Sequence, residues 1–239
     1  QYSFAVKDTI EVYKLENFDF RANDFRIDSV SEAQHGFWYS RAFSFEATGI
    51  EGVMTARNHR FTVKRMALDT ESGDFNLEQI RLRPLSVRGQ NDYMAGSIDT
   101  VGIRGLLYDK GISARLLKID RPNLRYVMAP SFNKKGVKSV KPVNSRVDVE
   151  AILNPFLRYL SVKRVSLNHA YVTVDDKNRP DPITYKLNGF NFFATDILVN
   201  RQTGKGSGLF FDYGNMGFNF SRFDNYLPGK EYRLSVRKG

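Results

Sequence analysis

The sequence contains no cysteine, so it can form no disulfide and no thiolate metal site. It has only three histidines, His35, His59 and His169, and their spacing matches no HExxH or other paired metal motif. No run approaches the roughly 20 apolar residues of a membrane-crossing helix. There is no GxSxG nucleophile elbow. The glycine-rich stretch Gly204 to Gly208 lacks a phosphate-loop pattern and reads as a flexible loop. Asp175 to Asp181 lacks the alternating oxygens and the glycine of a calcium loop, and reads as a hairpin turn. Carboxylates are plentiful, but no spacing pairs two of them across a cleft. The expectation is a non-enzyme with no cofactor and no metal.

What is present in quantity is aromatic and basic. There are 19 Phe and 12 Tyr, and aromatics make up 13% of the chain. Such residues suit pleated surfaces. The net charge is +10, from 36 basic and 26 acidic residues. The one dense basic cluster, Lys134, Lys135, Lys138 and Lys141, sits in a proline-containing stretch, 129–145, that reads as a long loop. No aromatic RNA-binding motif or zinc-finger spacing accompanies it, so no nucleic-acid partner is expected.

Alternation with a period of two dominates. Phe18, Phe20 and Ala22 oppose Asp19, Arg21 and Asn23; Phe43, Phe45 and Ala47 oppose Ser44, Glu46 and Thr48. Phe75/Leu77, Leu124/Tyr126 and Phe218/Phe220 repeat the pattern. These are strands with one apolar and one polar face, as in antiparallel sheets wet on one side. Turn chemistry separates them at Glu71 to Asp74, Arg121-Pro122-Asn123, Asp176 to Pro182 and Gly204 to Gly208. One segment differs. Over 147–160, Val149/Leu153/Leu157 and Ile152/Phe156/Leu160 recur every four residues, which predicts a short helix kinked at Pro155. Gly105-Leu106-Leu107 reads as another short turn.

Two internal repeats organise the chain. Tyr13 to Ile27 matches Tyr185 to Val199 at an offset of 172, with seven of fifteen pairs identical, among them Phe18/Phe190, Phe20/Phe192 and Asp24/Asp196. This predicts a first repeat unit over 1–182 and the start of a second over 183–239, in a segment of a longer repetitive protein. A shorter match at an offset of 48 aligns Leu117 with Val165, Ile119 with Leu167, Leu124 with Val172 and Tyr126 with Val174. Apolar parity slips by one residue in three places. The expectation is a bulge or strand bend at Lys64-Arg65, Arg115-Leu116 and Lys163-Arg164.

The unit Leu117-Lys118-Ile119-Asp120-Arg121-Pro122-Asn123-Leu124-Arg125-Tyr126 resembles the repeated hairpin of AsmA-like envelope proteins. So does Val162 to Leu167 followed by Ala170 to Val174, and the order of 98–114 and 147–160 is similar. The resemblance implies a mainly β fold: an elongated, curved antiparallel sheet forming an open groove, with one or two short helices. It implies a periplasmic, envelope-anchored protein of a Gram-negative cell that moves or holds phospholipid between membranes, or takes part in outer-membrane assembly. Partners would be phospholipid acyl chains and membrane or envelope assembly proteins. The family carries no catalytic residues.

On that reading the apolar faces line a trough for acyl chains. The candidates are Phe18, Phe20, Phe43, Phe45, Phe61, Val63, Phe75, Leu77, Ile103, Ile119, Leu124, Val165, Leu167, Phe190 and Phe192. The same periodicity also suits a structural or adhesive β-sandwich of a cell-surface protein, in which these residues seal a dry core. An outer-membrane barrel fits less well, because barrel strands need about 9–11 residues and the alternating segments look shorter.

Overall fold

The computed structural model describes residues 12–24, 42–54, 58–86, 92–108, 111–130, 159–178, 182–200, 211–226 and 233–237. They build fourteen strands: β1 (Val12–Lys14), β2 (Asn17–Asn23), β3 (Ala42–Met54), β4 (His59–Asp69), β5 (Asp74–Pro84), β6 (Tyr93–Arg104), β7 (Leu107–Tyr108), β8 (Ile112–Asp120), β9 (Asn123–Met128), β10 (Tyr159–Asp176), β11 (Ile183–Asn200), β12 (Met216–Asn219), β13 (Arg222–Tyr226) and β14 (Arg233–Arg237). All belong to one sheet. Its backbone path runs β1-β3-β4-β5-β6-β8-β10-β11-β13-β14, with β2 beside β3, β9 between β6 and β10, and β12 beside β11. The mainly β expectation holds, and no described residue is helical.

The sheet is mixed rather than antiparallel throughout. β10 runs parallel to β8 and β9 and antiparallel to β11. The parallel register aligns Leu117 with Val165, Ile119 with Leu167, Leu124 with Val172 and Tyr126 with Val174. These are the pairs that match in sequence at an offset of 48, so the shorter repeat lies side by side in space. A parallel pair needs a long crossover, and the chain from 129 to 158 supplies it.

Three other expectations change. Arg121-Pro122-Asn123 is not a hairpin turn. β8 and β9 pair with the same strand, β6, and with the same strand, β10, on either side of it, so it is a break inside one continuing strand. Gly105-Leu106-Leu107 is likewise a break, between β6 and β7, because β7 carries on the pairing with β8. The helical spacing over 147–160 lies mostly outside the described residues, and its last two, Tyr159 and Leu160, open β10. The loop at 129–145 beyond Pro130 and the glycine-rich loop at 204–208 also lie outside them. Strands are longer than the sequence suggested: β10 and β11 have 18 residues each. Length therefore does not separate this sheet from a barrel. Among the described residues the end strands β1/β2 and β14 are not bonded to each other.

The parity slips are real, and they form lines across the sheet. Between β3 and β4 the ladder joins Thr48 to Arg65 and next Ile50 to Val63, passing over Gly49 and Lys64. β4–β5 passes over Lys64 and Gln79, and β5–β6 over Gln79 and Asp99. The line continues through Arg121 and His169 to Gly189, and Gly49, Gln79, Arg121, His169 and Gly189 all have φ between 49° and 62°. A second line crosses six or seven residues away, at Gly73, Gly105, Arg115, Lys163 and Asp196. The bends expected at Lys64, Arg115 and Lys163 fall on these lines. Most are not one-residue bulges, because both strands skip together and keep register. A register shift occurs only around Leu167, Ala170 and Val172.

Each skip turns the alternation over in both strands at once, so the apolar side stays on the same face. Ala47, Ile50 and Val63 are buried together across the first line, with Leu15, Phe61, Met66, Leu77 and Ile80 packed on them. The longer repeat is visible too: Asp24 and Asp196, identical at an offset of 172, share a left-handed backbone with φ of 52° and 53°.

Candidate functional site

Following hydrogen-bonded partners from strand to strand traces rows of side chains on one face. One row is Phe20, Phe45, Leu68, Phe75, Ile103, Leu117, Val165 and Ala194. The next is Phe18, Ala47, Met66, Leu77, Val101, Ile119, Leu167, Phe192 and Phe218. Beyond the first line of skips runs Gly52, Phe61, Leu82, Gly96, Leu124, Val172, Leu187 and Phe223. Val63 lies in the short row between, with Ile50 and Ile80. Phe43 joins this face two residues before Phe45, and its ring stacks on Phe20 at 5.9 Å. Phe190 joins it through the ring of Phe218, 6.1 Å away. All fifteen candidate residues therefore share one face of one sheet.

Sequence reading missed Leu68, Ile80, Val101, Leu117, Val172 and Leu187 as members of these rows. Several stand just past a skip, where a fixed period of two assigns them to the wrong side. The repeat at an offset of 48 already held Leu117 and Val172.

This face has little of a sealed core. Among the described residues the buried apolar ones are mostly Ala, Val and Ile, and the largest fully buried side chain is Pro122. The inner rows are half-buried, while Phe18 and Phe218, at opposite ends of one row, are 58% and 66% exposed. The described residues form no second layer over the face.

The opposite face is polar and cross-braced. Arg65 takes Glu46 with two bonds, Nε to Oε1 and Nη2 to Oε2, both 2.8 Å, and reaches Glu78 with Nη1 at 2.8 Å. These bonds raise the Arg65 pKa and lower that of Glu46. Burial pushes Asp120 up, but Lys118, Asn168 and Thr100 outweigh it and hold the carboxyl below its ordinary value. Asp175 behaves alike: burial opposes ionisation, and Thr184 and Arg125, whose Nε lies 2.6 Å away, prevail. Such pairs tie adjacent strands edge to edge on the face opposite the apolar rows.

The two described histidines sit in the strand framework. His59 pairs with Pro84, which has no N–H, and its Nε2 sits 2.8 Å from the Met94 carbonyl oxygen. His169 lies on the first line of skips, and its backbone N–H donates to Asn191 Oδ1. Among the described residues no group of His, Asp and Glu could hold a metal ion, and no helix is long and apolar enough to cross a membrane. No protein-family model and no curated protein matches the chain.

Proposed function

We propose that the apolar face is the wall of an open trough that carries acyl chains, in an AsmA-like envelope protein that moves or holds phospholipid between membranes. The observation that supports this reading is the unbroken apolar row from Phe18 to Phe218 on a face with no second layer among the described residues. Nine strands about 4.8 Å apart give such a row a length of about 38 Å. One leaflet of hydrocarbon is about 15 Å deep, so the row exceeds a single lipid tail and suits a track. Burial is worth about 0.8 kcal/mol per methylene, or roughly 12 kcal/mol for a 16-carbon chain fully covered. Coverage from one side supplies part of that. The gain is nearly uniform along the row, so a chain slides without deep traps. Headgroups stay at the rim, where Lys and Arg meet phosphate.

The test is photocrosslinking with extraction and mass spectrometry of bound lipid. Crosslinkers at Phe45 and Leu167 face the trough, whereas Glu46 and Ser166 face away. Lipid adducts are expected at the first two sites only. Leu167→Asp should empty the trough while the protein stays folded. Folded wild-type protein without lipid, or equal labelling on both faces, defeats the reading. If the same residues instead seal a dry core, Leu167→Asp unfolds the protein.

A further inference from the structure

The polar face also holds a cavity of about 360 Å³, lined by Glu51, Arg60, Thr62, Arg81, Arg83 and Pro84, with Leu85 at its edge. We propose that it is a binding site for a phosphate group, carried either by a soluble phosphate ester or by an anionic lipid headgroup. Arg60 of β4 pairs directly with Arg83 of β5, and Thr62 pairs with Arg81. Residues directly opposite in an antiparallel ladder have Cβ atoms about 5 Å apart, and like charges there repel. The fold nevertheless holds three guanidinium groups around one cavity. A single carboxylate answers them: Glu51 Oε1 takes Arg60 Nε at 3.2 Å.

Arg81 and Arg83 have no carboxylate partner among the described residues. Elsewhere on the same face Arg65, Arg104 and Arg125 each bond a carboxylate. The cavity therefore keeps a local charge of about +2, and an anion relieves the repulsion. Guanidinium forks match phosphate oxygens in pairs. Arg81 stands between two hydroxyl residues, Thr62 on β4 and Ser97 on β6, which are short polar neighbours. The volume lies in the range of about 300–1,000 Å³ usual for ligand pockets, and it leaves room for the group that bears the phosphate. The site faces away from the apolar rows and does not depend on the trough.

The experiment titrates the protein with two probes, inorganic phosphate and vesicles of phosphatidylglycerol, with phosphatidylcholine vesicles as the neutral comparison. Arg81→Ala/Arg83→Ala should weaken binding about tenfold or more. Arg115→Ala/Arg164→Ala removes the same charge from exposed positions elsewhere and should change binding by less than about twofold. Arg81→Lys/Arg83→Lys keeps charge but not the fork, and should fall between them. Saturable phosphate binding that behaves this way identifies a soluble ester as the source. Binding confined to phosphatidylglycerol vesicles, with the same ranking of variants, identifies a headgroup. Binding of neither probe, or an equal loss in the Arg115/Arg164 variant, overturns the site. Circular dichroism checks that each variant is folded. Lipid crosslinking at Phe45 and Leu167 should be unchanged by all three, so the two readings fail separately.

Discussion

Gly73→Ala is the sharpest probe of the lines that cross the sheet. Gly73 has φ of 68°. A Cβ there would stand 2.8 Å from both the backbone N and O of Leu106 and 3.2 Å from Gly105 C. These are backbone atoms at the break between β6 and β7, and they cannot swing aside as a side chain does. The same contact carries a hydrogen bond, Leu106 N–H to Gly73 O at 2.8 Å. The left-handed conformation costs an L-residue about 1–2 kcal/mol. Displacing Leu106 forfeits about 0.5–1.5 kcal/mol for the bond, so the expected loss is about 2–3 kcal/mol. Gly49→Ala is the comparison on the other line, with φ of 62°. Its nearest obstacle is the flexible side chain of Glu16, which leaves the conformational cost alone, about 1–2 kcal/mol. Gly102→Ala, in regular strand with only Asn76 Oδ1 near at 3.2 Å, should stay within about 0.5 kcal/mol of wild type. Urea unfolding midpoints at constant slope read all three. If Gly73→Ala is as mild as Gly102→Ala, or milder than Gly49→Ala, the left-handed skips do not hold the sheet in register and the reasoning fails.

Two further outcomes follow from the ionisable side chains. Asp175 has a lowered native pKa, so its stabilisation is complete above the unfolded value of about 3.9 and is lost as pH falls through the lower native one. Asp175→Asn should cost about 1–3 kcal/mol at neutral pH, and its urea midpoint should fall less steeply in acid than that of wild type. The Tyr126 hydroxyl is pushed up by burial and by the charge of Asp92, to which it donates at 3.2 Å. Asp92→Asn should lower its ionisation midpoint in an ultraviolet alkaline titration, with Tyr126→Phe identifying the tyrosine; an unchanged midpoint removes Asp92 as a cause.

Much of the face was legible in the sequence because alternation with a period of two is a local signal. Phe18/Phe20 and Phe75/Leu77 need only their own neighbours to be assigned. Failures began where local chemistry serves two ends. Arg121-Pro122-Asn123 has the composition of a hairpin turn, yet the same Pro and left-handed residue make a break inside a strand. Only pairing with β6 and β10, some distance away in the chain, decides between them. Leu117 and Val172 were left out of the lining although the repeat at an offset of 48 pairs them with Val165 and Leu124, which were in it. The parallel pairing was present as the repeat at an offset of 48, but similarity between two segments does not by itself say that they lie next to each other. Arg60, Arg81 and Arg83 were invisible as a group, since Arg60 and Arg83 meet only once β4 and β5 are zipped together.

The parallel ladder of β10 with β8 and β9 sets a timetable for assembly. From β3 to β6 each strand pairs with the one made just before it, and β8 and β9 then add to β6, so the sheet can grow as the chain is synthesised. The edge formed by β8 and β9 must then wait for a partner 48 residues later. At about 5–20 residues per second that wait is roughly 2–10 s. Closing the longer loop is cheap, since a doubling of length costs only about 0.6 kcal/mol. The burden is kinetic: an unpaired edge beside apolar rows is a template for any passing strand. β10 and β11 form the most extensive hairpin among the described residues, and its arrival as one piece would shield that edge in a single step.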